Sequence, residues 1–270
     1  MGSPNWTSCR CSATQQLGTV DLLGVRVHNV NIEESLDLME RMISCGNQHH
    51  IVTVNTEFVM KAQSDRNFGE VLNNASLAIP DGMGVVWGSW FLGDRVKERV
   101  TGVDLVQRFA PLAASKGFRL FLLGAAPGVA ETAGERLEEN SPGLVDVGTH
   151  SGSPDPEQEA EICERIRQSK ANTLFVAFGS PASEMWIARN LPKLPVTIAM
   201  GVGGTFDFIA GVVPRAPIWM QRAGLEWLFR LLIQPFRWKR MLALPTFVMA
   251  VLLNRLSVFS RGKQENEGHS

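Results

Sequence analysis

Short apolar runs recur along this chain, at residues 49–55, 77–79, 118–123, 144–148, 173–178 and 196–200. Each closes on glycine, proline or a small polar residue, and stretches with helical spacing separate them. Runs this apolar suit a sheet covered on both faces, and parallel strands need a crossover that a helix supplies. The order therefore predicts an α/β fold, a doubly wound and mostly parallel sheet with helices on both faces. No internal repeat or low-complexity run interrupts it. Residues 20–30 alternate like a short strand pair, and Asn31 or the acids after it open an amphipathic helix to about Met42. Asn55 or Thr56 caps the helix of T-E-F-V-M-K-A-Q, Thr101 and Asp104 have capping-box spacing, and Asp155-Pro156 and Ser180-Pro181 read as cap plus first-turn proline.

The stretch S-L-A-I-P-D-G-M-G-V-V-W-G (76–88) holds the strongest candidate for chemistry. Its apolar strand end runs into Pro80, Asp81, Gly82 and Gly84, which permit a tight turn into a helix of about ten residues. Asp81 therefore stands at the carboxyl end of a strand, the rim where open α/β sheets bind ligands. Two readings are open for it: a general base, or a cap on the helix that follows.

At 270 residues, the chain is long enough for one large domain with an appendage, here an α/β core over 19–212 and a helical appendage over 213–260. Residues 1–18 and 261–270 read as flexible tails, and the first sixteen lack the pattern of a secretory signal. Net charge is −1, yet between Arg215 and Lys263 nine lysines and arginines face one acid, Glu226. That segment is +8 and the remainder −9, so the appendage is suited to an anionic partner: phosphate groups, nucleic acid or a membrane surface. Its tryptophans, phenylalanines and spaced arginines suit the plane of a membrane interface; a soluble helical subdomain or an oligomer contact is the alternative. The apolar run after Pro245 is too short to cross a bilayer. The cysteines Cys9, Cys11, Cys45 and Cys163 form no disulfide framework, and a zinc set of Cys9, Cys11, His49 and His50 matches no standard spacing.

Glycine turns after strands, at Gly82/Gly84, Gly124/Gly128, Gly179 and Gly201/Gly203/Gly204, are suited to exposing helix N-termini to phosphate. The first is one residue short of the dinucleotide fingerprint, and no G-x-x-x-x-G-K-[ST] loop occurs, so a nucleotide is expected but NAD and ATP are disfavoured. An oxidoreductase on the same sheet, or a non-catalytic binding protein, would be the other classes.

Seven stretches in order, T-V-N-T-E-F (53–58), I-P-D-G-M-G-V-V-W (79–87), R-V-T-G-V-D-L (99–105), F-L-L-G-A-A-P-G (121–128), V-A-F-G-S-P (176–181), G-V-G-G-T-F-D-F-I-A-G (201–211) and R-A-P-I-W-M-Q-R-A-G-L-E-W-L-F-R (215–230), carry a resemblance. The chain resembles the WecG/TagA/CpsF glycosyltransferases, glycosyltransferase family 26. The resemblance implies a Rossmann-like fold and inverting transfer of a sugar, N-acetylmannosamine or its uronic acid, from a UDP-sugar donor to a polyprenyl-diphosphate-linked saccharide acceptor. It further implies work in cell-surface polysaccharide synthesis at the cytoplasmic face of the plasma membrane, with peripheral attachment and no nucleic-acid partner. A homo-oligomer is compatible with it.

By the same resemblance Asp81 is the general base, and Thr53 and Asn55 position the substrates. Asp207 is similar to a residue that hydrogen-bonds the uracil. Arg230, Arg237 and Arg240 match appendage arginines suited to a diphosphate. Gly82, Gly124, Gly179, Ser180, Ser183 and Gly203 complete the expected substrate-binding set. Ser183 stands where the pattern usually has glutamine, which bears on the donor sugar or the acceptor contact; Thr56 replaces a common proline. With no D-x-D in the sequence, arginines and helix N-termini are expected to neutralise the leaving group, with no cofactor and no essential metal.

Overall fold

The computed structural model describes residues 17–267. The chain opens on an antiparallel hairpin, β1 (Thr19–Leu22) and β2 (Val25–His28). Asn31 then forms a full capping box with Glu34 at the start of α1 (Ile32–Cys45). After β3 (His49–Val54), the Asn55 side chain caps α2 (Thr56–Ser64), and α3 (Arg66–Asn74) leads into β4 (Leu77–Pro80). Next come α4 (Met83–Leu92) and α5 (Gly102–Lys116), the latter begun by a hydrogen bond from the Asp104 N–H to the Thr101 hydroxyl. The regular half follows: β5 (Leu120–Gly124), α6 (Val129–Asn140), β6 (Gly148–His150), α7 (Glu159–Ser169), β7 (Thr173–Ala177), α8 (Ala182–Asn190), β8 (Ile198–Gly201) and α9 (Thr205–Ile209). The C-terminal helices are α10 (Ile218–Arg222), α11 (Glu226–Ile233), α12 (Trp238–Met241) and α13 (Ala243–Glu267).

Strands β3 to β8 make one six-stranded parallel sheet in the order β4-β3-β8-β7-β5-β6. Alternation along the strands feeds both faces. Leu120 and Leu122 of β5 join the layer with α1, α5, α6 and α9, whereas Phe121 and Leu123 join the layer with α7 and α8. A further core links the hairpin, α2, α3 and α4 with Phe247 and Val251 of α13. This is the doubly wound α/β fold that the sequence pattern predicts, and the Rossmann-like fold that the resemblance implies.

Two local expectations need correction. The run 144–148 is not a strand from its start: the Leu144 N–H bonds to the Ser141 carbonyl in a turn, and Asp146 adopts φ +55°, so extension begins only at Gly148. Ser180 does not cap α8; Pro181 occupies the cap position without a side-chain bond, and the helix starts one residue later.

The C-terminal helices are not a detached arm. Helix α13 crosses α4 where Gly84 and Gly88 remove side chains from the contact. A Cβ at Gly88 would lie 2.6 Å from the Phe247 ring, and one at Gly84 would lie 2.5 Å from Thr56 and 3.2 Å from Leu244. The helix continues past residue 260 to Glu267. Among the described residues, no helix is long and apolar enough to cross a membrane. Residues 1–16, and with them Cys9 and Cys11 of the zinc candidate, lie outside the described residues. His49 is buried between Cys45 and Ser76, with ring nitrogens 3.3 Å from the one's sulfur and 3.2 Å from the other's hydroxyl.

Candidate active site

A cleft of about 460 Å³ opens over the carboxyl ends of β4, β3, β8 and β7. The loops diverge there because β3 hands the chain outward to β4 while β8 and β7 lie on its other side. Thr53, Asn55, Asp81, Gly82, Gly179, Ser180, Ser183, Gly203, Asp207, Arg230, Arg237 and Arg240 all line it. Gly124 does not. It ends β5, beyond β7 in the sheet, and the contact that needs glycine there is backbone: a Cβ would come 2.8 Å from the Ala177 carbonyl carbon.

Asp81 is fixed by its N–H, which donates to the Val54 carbonyl at 2.7 Å and ties the turn to β3. Gly82, at φ +106°, is the cap residue of α4, and no side chain caps that helix. The capping alternative for Asp81 thus fails, and among the described residues nothing hydrogen-bonds its carboxyl. Burial raises that carboxyl's pKa to about 7; Arg99 pulls it down, Glu226 and Asp104 push it up, and Arg230 pulls it down again.

On β3, the buried Thr53 hydroxyl donates to the Gly201 carbonyl of β8 at 3.3 Å. The Asn55 side-chain oxygen accepts the Phe58 N–H at 3.0 Å, so its amide nitrogen remains without a partner among the described residues. On the β7 side, the Ser183 hydroxyl accepts the Phe178 N–H at 3.0 Å and is buried, so it braces the 178–183 turn. Beside it stands Glu184, 1 % exposed, its carboxyl against Gly201 and its Oε2 unpartnered. Burial pushes its pKa to about 8, with Glu57 adding in the same direction and a bond to its own backbone N–H opposing, so it is mostly protonated at neutral pH.

The appendage contributes the cations. The Arg230 guanidinium stacks 4.7 Å from the Phe208 ring and lies against Gly204, where a Cβ would collide with it. Its Nε and Nη2 are buried without partners. Burial and the neighbouring Arg237 lower its pKa to about 10, which leaves it a cation at neutral pH. Arg237 is also depressed, by burial first and then by Arg240. Arg240 is already engaged: it clasps Glu57 with Nε at 3.0 and 3.1 Å and Nη2 at 2.8 Å.

Three charged side chains that line the cleft, Arg99, Glu226 and Arg215, form an alternating row with Asp104 at its end. Asp104 accepts both Arg215 Nη1 (2.5 Å) and Nη2 (2.8 Å), Arg215 Nε reaches Glu226 Oε1 at 3.4 Å, and Glu226 Oε2 accepts Arg99 Nη1 at 2.9 Å. The doubled bond to Arg215 and the Thr101 hydroxyl hold the Asp104 pKa below its usual value although burial opposes them. Glu57, Arg99, Glu184 and Glu226 were not singled out from sequence. Glu57, Glu184 and Glu226 open helices, where acids are ordinary complements to the dipole, and only packing separates them from that role. Among the described residues, no three histidines, cysteines or acids gather as a metal-binding group.

The arrangement places an uncommitted carboxyl opposite buried, unpartnered guanidinium donors across one cleft, a layout suited to drawing a proton from one group while neutralising a departing phosphate. Residues 20–261 match the profile of the Glycosyl transferase WecG/TagA/CpsF family. Three similar proteins bear the same name, N-acetylglucosaminyldiphosphoundecaprenol N-acetyl-beta-D-mannosaminyltransferase. That of Bacillus subtilis (strain 168) is 32 % identical over 232 residues, covering 84 % of this chain and 90 % of its own. That of Bacillus spizizenii is 37 % identical over 202 residues (75 % and 78 %), and that of Staphylococcus aureus (strain NCTC 8325 / PS 47) 32 % over 234 (86 % and 91 %).

Proposed function

Because the chain belongs to the WecG/TagA/CpsF family of glycosyl transferases, we propose that it moves an N-acetylmannosamine-type sugar from a UDP-sugar to a polyprenyl-diphosphate-linked N-acetylglucosamine. The names of its relatives supply the acceptor and the sugar, and the cleft suggests the chemistry. The acceptor hydroxyl loses its proton to Asp81 as its oxygen attacks the anomeric carbon. The bond from that carbon to the UDP oxygen breaks in the same displacement, which inverts the centre. The electron pair leaves on UDP, beside Arg230, Arg237 and the N-terminus of α9. The buried Thr53 hydroxyl and the free amide of Asn55 flank the same rim and are suited to orienting the sugars.

The observation that carries this reading is the Asp81 carboxyl, unbound by any cap, on the lining of a cleft whose other lining includes Arg230. The test is a UDP-release and product-mass assay with a panel of UDP-sugars and a prenyl-diphosphate N-acetylglucosamine acceptor. Asp81→Asn is expected to lower turnover by about 10²–10⁴-fold, the usual weight of a general base. A variant as fast as the parent would remove Asp81 from the chemistry.

The membrane enters the same reading. Trp90 and Phe91 of α4, Trp219, Leu232, Phe236 and Trp238 of the appendage, and Met249 and Leu253 of α13 are exposed. Arg95 stacks on Trp90 at 4.4 Å and Arg255 on Phe91 at 4.8 Å. Aromatic rings with cations beside them suit the headgroup layer of an anionic bilayer, where a lipid-linked acceptor resides. Peripheral attachment to the cytoplasmic face follows as part of this proposal, with no part for nucleic acid.

A further inference from the structure

Glu226 belongs to the C-terminal helices, yet it lines the same cleft as the candidate base. It is the first residue of α11, and it takes Arg99 on one oxygen and Arg215 on the other. The Arg99 and Glu226 side chains are only 16 % and 20 % exposed, so salt screens their pairing weakly. Arg99 is held near Asp81 by the chain itself: the Val100 N–H donates at 2.8 Å to the carbonyl of Pro80, the residue before Asp81. Arg99 lines the same cleft as both carboxylates, and in this structure its hydrogen bond goes to Glu226.

The charged groups acting on Asp81 are Arg99 from the segment before α5, Asp104 from α5, and Glu226 and Arg230 from α11. The rim end of β3 and the whole of α4 present no titratable side chain. Of the two arginines acting on Asp81, Arg99 pulls harder than Arg230, and an arginine paired to Asp81 would favour its charged form and weaken its hold on a proton. Asp104 is already occupied by both terminal nitrogens of Arg215, Nη1 and Nη2, whereas Glu226 receives only its Nε and keeps its other oxygen for Arg99.

We infer that Glu226 is a positioning residue: by keeping Arg99 in an ion pair, it prevents that guanidinium from capturing the Asp81 carboxylate, so the docked C-terminal helices set the strength of the base. The inference rests on Asp81 serving as the base in the proposed transfer. It gives the appendage a part in the proton transfer beyond supplying cations and a greasy surface. Removing the Glu226 charge would by itself also lower the base, so the variant that keeps the charge and shortens the reach, Glu226→Asp, is the one that separates positioning from direct repulsion.

The experiment is a carbon-13 NMR titration of the Asp81 side-chain carboxyl in the full-length parent and in Glu226→Gln, alongside pH profiles of kcat/KM. The expected result is a fall of the Asp81 midpoint by about one pH unit, a tenfold loss of proton affinity, with the acid limb of the rate profile moving the same way. Glu226→Asp keeps the charge on a shorter stem and holds Arg99 less well; a smaller fall is expected there, whereas direct repulsion alone would leave the midpoint in place. An Asp81 midpoint that stays in place or rises in folded Glu226→Asp overturns the inference, whatever Glu226→Gln shows and even if stability drops. The titration needs no turnover, so an inactive parent would count against the transfer reading while leaving this result legible by itself.

Discussion

The single carboxyl of Asp81 makes the sharpest demand on solution behaviour. As the proposed base, Asp81 must be deprotonated to work, and burial holds it near pKa 7, so kcat/KM is expected to rise tenfold per unit below about pH 7 and level off above it. A profile flat from about pH 5 to pH 8 would mean that a different group accepts the proton. Glu184 demands the opposite slope in stability. Its folded-state pKa, about 8, exceeds the usual carboxylate value, so the folded protein binds its proton more tightly than the unfolded chain does. Stability is then lost as pH rises from about 4.5 to 8, and Glu184→Gln, which keeps the shape without the titration, should flatten that stretch of a Tm-against-pH curve. The place of Asp81 at a strand end and of Asn55 as a helix cap could be read from sequence, because proline, glycine and cap chemistry mark such ends; Thr53 entered only through the family resemblance. Gly124 carries the same mark and lies outside the cleft, since sequence reports that a strand ends but not its place in the sheet. Nothing local distinguishes Glu184 from an exposed acid that opens a helix. Its burial is a property of packing against Gly201.

Among the elements, the crossing of α4 and α13 is the one whose loss would be felt most widely. Phe247 is buried against the missing side chain of Gly88 and joins the core shared by the hairpin, α2 and α3. Phe247→Ala is expected to cost about 3–5 kcal/mol, the range for a large aromatic removed from a core, measurable as a shift in the urea midpoint. A change below about 1 kcal/mol would mean that α13 is only loosely held. The run of strands and helices could be read in advance because buried β-strands and amphipathic helices differ in period. The onset of β6 could not, because a turn ending at Leu144 and the left-handed Asp146 override an apolar stretch. A packed helical appendage is one of the alternatives the sequence leaves open, but its seat on α4 is not legible: G-M-G-V-V-W-G reads as a turn signal, and the same glycines also serve as a groove.

For the molecule as a whole, the uneven charge and the exposed aromatic residues point outward together. Replacing Trp90, Phe236 and Trp238 by serine should weaken flotation with anionic liposomes by at least about tenfold while leaving Tm within a few degrees, because all three are more than half exposed. Unaltered flotation would place the bilayer contact elsewhere. Helix α4 starts two residues after Asp81 and ends beside Trp90 and Phe91. Ten residues of helix measure about 15 Å, so a bilayer resting on those rings would sit at a fixed height beneath the carboxyl proposed as the base. The helix would then serve as a ruler, admitting a headgroup about one sugar and a diphosphate tall and leaving longer glycans to overshoot the rim.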